Sequence, residues 1–149
     1  MTIQKILKFP NLKLRTIATP VKKVDKNIKK IIHDMLDTMY AYQGLGLAAP
    51  QINVHKQIIV ISPIFPHKKN LILINPKILK KKKITKKFEE GCLSIPNKTA
   101  FLKRYNNLKL KAINYYGKKI ILNTQELLSI CIQHEMDHLI GKLFIDYLK

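Results

Sequence analysis

Apolar residues recur at helical spacing between residues 26 and 42, where Ile28, Ile31, Ile32, Met35, Leu36 and Met39 form one stripe among polar positions. Asp25 stands where a helix cap belongs, so the pattern predicts an amphipathic helix. His33 lies off the stripe and reads as a surface or boundary residue. The aliphatic runs at 57–62 and 71–75 sit between turn formers and predict strands. Leu108-Lys109-Leu110-Lys111-Ala112 alternates as a half-exposed strand should, and Tyr116-Gly117 predicts a hairpin turn into a strand at 119–122. A second helix follows, with Leu127, Ile130, Cys131, His134 and His138 on one stripe. Asn123 or Thr124 could cap it, Glu126 suits its first turn, and Gly141 suits its end. The expected fold class is α+β: mainly antiparallel strands packed around this second helix, with an additional N-terminal helix, in a single domain over 1–149.

The second helix carries the chemistry. His134-Glu135-Met136-Asp137-His138 puts two imidazoles four residues apart, so both can reach one metal ion. Glu135 stands beside them, placed to exchange a proton with a water that the metal makes acidic. Two histidines and a carboxylate closing an apolar stripe are costly to bury without such a partner. In the extended zinc-protease pattern a third histidine follows a glycine by three residues. Here Gly141 is present, but Phe144 holds the ligand position and cannot serve.

A third ligand must therefore come from elsewhere. Cys131 lies one turn before His134, and three ligands on one helix face fit a tetrahedron poorly. It reads better as a small buried hydrophobe lining a pocket. Cys92 lies in Glu90-Gly91-Cys92-Leu93-Ser94, an irregular, glycine-containing segment suited to presenting a thiolate from a second element. Gly44-Leu45-Gly46-Leu47-Ala48-Ala49-Pro50-Gln51 is small enough to let backbone come close to a ligand, a strand or the metal helix, although alone it reads as a plain loop.

Together the three segments resemble the peptide deformylase family, which carries G-x-G-L-A-A-x-Q, E-G-C-L-S and H-E-x-D-H in that order. Leu14-Arg15 with Pro20-Val21, and Asp146-Tyr147-Leu148, look like the family's opening and closing segments. The resemblance implies that Cys92, His134 and His138 hold a divalent metal, and that Glu135 is the general acid/base. It also implies that Gln51 and the Leu93 N–H stabilise the developing oxyanion, while Gly46 pairs its backbone with the peptide. The implied reaction removes formyl from the N-terminal formylmethionine of new proteins, releasing formate. The implied native ion is Fe²⁺, although the ligand set also accepts Zn²⁺, Ni²⁺ or Co²⁺. Leu45, Leu127, Ile130 and Cys131 are expected to wall an apolar methionine pocket. Glu90 and Arg104 are expected to pair in support of Cys92. Thr99 stands where some bacterial members carry an arginine, which bears on peptide-backbone recognition and not on the chemistry. Many bacterial relatives continue into a further C-terminal helix, and this chain stops at Lys149, so a domain lacking that extension is expected.

Composition adds a compartment and a field. No apolar run reaches the length of a membrane span, and Lys5 and Lys8 interrupt any signal-like segment. A cytoplasmic monomer with reduced cysteines is expected. Net charge is +19, and Arg15 and Arg104 are the only arginines among 28 basic residues. A lysine excess beside many asparagines and isoleucines fits AT-rich codons, and the Lys80-Lys81-Lys82-Lys83 run reads as a solvated turn. Such a field still attracts RNA, so weak electrostatic ribosome association is expected. The rival class is a basic RNA- or ribosome-docking protein with a non-catalytic metal site. The intact Cys92, His134, Glu135, His138 and Gln51 argue against it.

Overall fold

The structure is a computed structural model and describes residues 2–64, 67–84 and 87–148. Helix α1 spans Lys26–Ala41. The Asp25 carboxylate accepts from the Ile28 N–H at 2.9 Å, so the expected cap is in place. Ile28, Ile32, Met35 and Met39 are buried, and Ile31 and Leu36 pack at the margin of the same cluster.

The described residues hold seven strands: β1 (Gly46–Ala48), β2 (Ile58–Ile61), β3 (Leu71–Ile84), β4 (Phe88–Cys92), β5 (Ile95–Leu102), β6 (Tyr105–Ile113) and β7 (Lys119–Gln125). Helix α2 follows at Glu126–Leu139. One five-stranded sheet runs in the order β1-β2-β3-β6-β7, while β4 and β5 form a separate hairpin. Every strand pairing is antiparallel.

Alternation along the strands sends side chains to two cores. Ile58, Val60 and Ile74 pack with α1. Ile59, Ile61, Leu73, Leu108, Leu110 and Ala112 pack with Leu128, Ile132 and Leu139 of α2. Strand β2 is thus buried on both faces, and each such aliphatic side chain contributes about 1.5–3 kcal/mol. A third cluster joins Ile95, Ala100 and Leu102 of the hairpin to Leu143 and Phe144, just beyond α2. The expected plan, antiparallel strands around the second helix with an extra helix before them, is the one observed.

Two local expectations fail. The lysine run is no turn: Lys80 and Lys82 lie in β3, opposite Lys109 and Asn107 of β6. The lysines are exposed as expected, but β6 supplies backbone partners and tertiary pairing overrides the local preference. Nor do Asn123 and Thr124 cap α2. They remain in β7, opposite Lys109 and Leu108, and Gln125 holds the cap position with no side-chain bond. The Thr124 hydroxyl instead meets the Ser129 hydroxyl at 2.8 Å, so the strand runs into the helix without a loop.

Gly141 ends α2 as expected, at φ +74°. Its N–H donates to the His138 carbonyl and that of Lys142 to the Asp137 carbonyl, the double closure of a left-handed helix end. A Cβ here would fall onto the Arg15 carbonyl, which is backbone and cannot move aside cheaply. The Arg15 guanidinium also donates to the Gly141 carbonyl at 3.0 Å and grips Asp146 at 2.6 and 3.0 Å. Gly141→Ala should therefore cost about 1–3 kcal/mol and lower the thermal midpoint by several degrees. Circular dichroism melting measures this, and an unchanged midpoint would contradict it.

Candidate active site

Helix α2 buries its histidines. His134 is 8% and His138 1% exposed. Strand β4 brings Cys92 to them from the far side. The expected irregular segment is instead the end of a strand, with a register shift between Gly91 and Cys92 and a two-residue turn, Leu93-Ser94, before β5. The Cys92 Sγ lies 3.4 Å from the His138 Nε2. One ligand atom from each of Cys92, His134 and His138 falls within 4.8 Å of the other two.

Glu90 sets the orientation. One oxygen accepts from the His134 Nδ1 at 2.9 Å, which leaves Nε2 free to point into the site. The Arg104 guanidinium takes both oxygens, from Nε at 2.7 Å and Nη2 at 2.9 Å, and reaches Asp137 from Nη1 at 2.7 Å. The Tyr147 hydroxyl donates to the same Asp137 oxygen at 2.8 Å. Burial opposes the charge on Glu90, but the bonds from Arg104 and His134 outweigh it and hold its carboxyl below the usual range.

The remaining ionisable groups divide cleanly. Burial pushes Glu135 up to about 7, the range of a group that both takes and gives protons near neutrality. Burial, then the charges of His134 and Arg104, push His138 well below its ordinary value, so it is a neutral imidazole with a lone pair to offer. Burial disfavours charge on His134 too, but Cys92, Glu135 and Glu90 favour a proton there. The negative surroundings that hold a proton on His134 equally attract a metal cation. Burial pushes the Cys131 thiol up to about 12, so it is a neutral pocket wall, as its place on the helix suggested.

A metal ion fits this chain. The donor set of one sulfur and two imidazoles suits several divalent ions. Among the described residues the buried Glu135 Oε1, beside these donors, has no hydrogen-bond partner, which leaves an acceptor for something further to meet.

Small residues make the room. A Cβ on Gly46 would lie 2.9 Å from the Glu135 Oε2, and one on Gly44 2.7 Å from the Leu93 side chain. The glycine segment, read alone as a plain loop, is in fact the short edge strand β1 followed by a 3₁₀ turn at Ala49–Ile52. Gln51 lies in that turn. Its side-chain Oε1 accepts from the Ala48 N–H at 2.9 Å, which aims its amide nitrogen at the Ser94 Oγ at 3.1 Å and, loosely, at the Cys92 Sγ at 3.7 Å. A cavity of about 370 Å³ opens in front. Leu45, Leu127, Ile130 and Cys131 all line it beside His134 and Glu135.

Some of the site escaped the sequence. Phe88 and Ile95 also line the cavity, and Ser94, Asp137 and Tyr147 support its polar side. Phe88 and Glu90 are two apart on one strand, so a strand assignment at 88–92 would have placed both on one face. Asp137 sat inside the histidine motif, but its partner Arg104 is far away in sequence.

One sulfur, two imidazoles and a buried carboxylate beside them are the parts of a metal-dependent hydrolase. The family model for polypeptide deformylase matches residues 3–149. A peptide deformylase of Buchnera aphidicola subsp. Cinara cedri is 61% identical over 148 residues, 99% of each chain. That of Wigglesworthia glossinidia brevipalpis is 54% identical, across 100% of this chain and 97% of its own. The crystal structure of peptide deformylase from Ehrlichia chaffeensis in complex with actinonin superposes with a TM-score of 0.96 at 36% identity, covering 100% of this chain and 90% of that one. The Thermotoga maritima enzyme gives 0.92 at 37%, covering 98% and 97%. The chain belongs to the polypeptide deformylase family, and it is an enzyme that removes the formyl group from the N-terminus of newly made proteins in a metal-dependent reaction.

The ion cluster yields a stability test. Arg104 is the cation that Glu90 and Asp137 share inside the protein. Arg104→Met would leave both carboxylates without it, and removal of one partner from a buried network costs about 3–5 kcal/mol. Urea denaturation should show a loss of that size, and a loss below about 1 kcal/mol would contradict the account.

Proposed function

We propose that Cys92, His134 and His138 hold a divalent metal, most naturally Fe²⁺, and that Glu135, Gln51 and Leu93 carry the formyl hydrolysis with it. The observation that best supports this reading is the convergence of the β4 sulfur on two α2 imidazoles, beside a buried carboxylate with an unpartnered oxygen. Zn²⁺, Ni²⁺ and Co²⁺ suit the same donors, and the family resemblance favours iron. When bound, such an ion supplies Lewis acidity, which makes water more acidic and a carbonyl carbon more electrophilic.

The protein's own groups do the rest. Glu135 accepts a proton from the attacking water and delivers it to the peptide nitrogen as the C–N bond breaks, giving formate and a free amine. Its pKa near 7 suits both halves of that task. The Gln51 amide nitrogen and the Leu93 N–H donate to the developing oxyanion, each worth about 3 kcal/mol. The weak 3.7 Å contact from Gln51 to Cys92 is the one it can give up for the substrate. Strand β1 pairs with β2 alone in its sheet, so Gly46 offers free backbone groups along which an extended peptide adds as a further strand. Leu45, Leu127, Ile130 and Cys131 receive the methionine side chain.

We also propose that the enzyme works as a monomer in the cytoplasm, where thiols stay reduced. Its charge of +19 supports weak electrostatic association with the ribosome, where its substrates emerge.

Two variants test the roles. Glu135→Ala, purified anaerobically, should keep one metal per chain by elemental analysis while formate release falls about 10²–10⁴-fold. An active Glu135→Ala protein, or wild-type protein without stoichiometric metal, would overturn the assignment. Leu127→Arg should keep its metal but lose turnover of formylmethionyl peptides, and unchanged turnover would remove Leu127 from the pocket.

A further inference from the structure

Helix α1 covers only part of the sheet face opposite α2, packing most closely on β1 and β2 and reaching β3 at Ile74. On β6, Leu108, Leu110 and Ala112 point toward α2, so Asn107, Lys109 and Lys111 point the other way. The pairing arranges that outer face in rows. Lys80 stands opposite Lys109, which stands opposite Asn123. Lys82 stands opposite Asn107, which stands opposite Gln125. Lys77 faces Lys111 one step further along. A shallow cavity of about 700 Å³ is lined by Lys80, Lys82, Lys83 and Lys109 with Leu108 and Leu128 at its base, and no carboxylate among the described residues lines it.

Like charges placed directly across a sheet repel, so this arrangement costs the folded protein something. Lysine-rich codon usage explains many lysines but not their register on one uncovered face. An anionic partner with evenly spaced charges would relieve the repulsion. Lysines two positions apart on a strand are about 6.7 Å apart, comparable to neighbouring phosphates on an extended nucleic-acid strand. The carboxamides of Asn107, Asn123 and Gln125 stand between the charges and can bond to phosphate or ribose oxygens.

We propose that this face, centred on Lys80, Lys82 and Lys109, is a docking surface for the phosphate backbone of RNA. None of the residues lining it lines the cavity beside His134 and Glu135, so bound RNA leaves the catalytic cleft open. The inference rests on the proposed ribosome association and deepens it by naming the surface and the partner chemistry.

The test is fluorescence anisotropy with a labelled oligouridylate of about 20 nucleotides, over a salt series from about 50 to 200 mM, alongside co-sedimentation with ribosomes. Wild-type protein should bind with a logarithmic salt slope of about −3, four lysines at about 0.7 each for single strands. The triple variant K80Q/K82Q/K109Q should bind RNA and ribosomes at least about tenfold more weakly at the low-salt end, with the slope reduced by about 2. A control, K22Q/K23Q/K26Q, removes the same charge from an exposed stretch elsewhere and should stay within about twofold of wild type. Formate release from a formylated dipeptide should be unchanged in both, which certifies their folding. Equal losses in the two variants would overturn the docking face and leave diffuse ribosome attraction standing. Wild-type protein that binds neither RNA nor ribosomes at low salt would sink both readings. Binding to phosphatidylserine vesicles that depends on these lysines, without RNA binding, would overturn the proposal in favour of a membrane surface.

Discussion

The catalytic arrangement depends on one buried carboxylate. Glu90 sits on the hairpin, His134 on α2 and Arg104 just after the hairpin, and Glu90 bonds both of the others at 2.7–2.9 Å. The hairpin is not part of the main sheet, so few backbone bonds hold it in place. Its turn is held by Gln51 and by the Phe9 N–H on Ser94, and its strands by the apolar cluster with Leu143 and Phe144 and by this ion network. The apolar cluster supplies non-directional attraction, while the bidentate Arg104–Glu90 pair fixes distance and angle. Cys92 is two residues from Glu90, so whatever fixes Glu90 fixes the sulfur. The bond that orients the His134 ring therefore also positions the third donor.

The expectations that held were those written in periodicity. The α1 stripe needed no information beyond its own residues, and neither did the alternation of β6. Those that failed concerned where one element hands over to the next. Asn123 and Thr124 have the composition of helix caps, but β6 offers them ladder partners and β7 continues through both. The lysine run looked like a turn because its charges demand solvent. An exposed strand face meets that demand equally well, and only the pairing with β6 decides between the two. That His134 and His138 share a face was legible because motif spacing encodes geometry on a helix, whereas Cys92 reaches them only through the hairpin. Asp137 and Tyr147 were not legible, because their value comes from Arg104, which local sequence cannot bring near.

Charge is partitioned across the molecule with unusual sharpness. The excess of lysines lies outside, while the interior cluster is rich in carboxylates: Glu90 and Glu135 are both 5% exposed, close to a sulfur and two imidazoles. Arg104, one of only two arginines, is spent inside. A lysine could not replace it there, since a single ammonium cannot meet Glu90 with two parallel bonds and Asp137 with a third. The same reasoning applies to Arg15, which grips Asp146 twice and the end of α2 once. A chain that uses lysine almost everywhere has kept arginine at the two places where a planar fork is required.

The site also shows why small residues and buried charge occur together. Glu135 can be raised to about 7 only if water is kept from its carboxyl, which requires close packing on every side. Packing of that kind leaves no space for a side chain on Gly46, whose missing Cβ is the space the carboxylate occupies. Under the proposed mode of peptide binding, Gly46 must also stay on an open sheet edge. A glycine meets both demands at once: its backbone lies against the carboxylate, and nothing projects from it into the cleft. The glycine-rich segment, the weakest of the three motifs when read alone, is therefore the one that lets a buried carboxylate and an open strand edge share a wall.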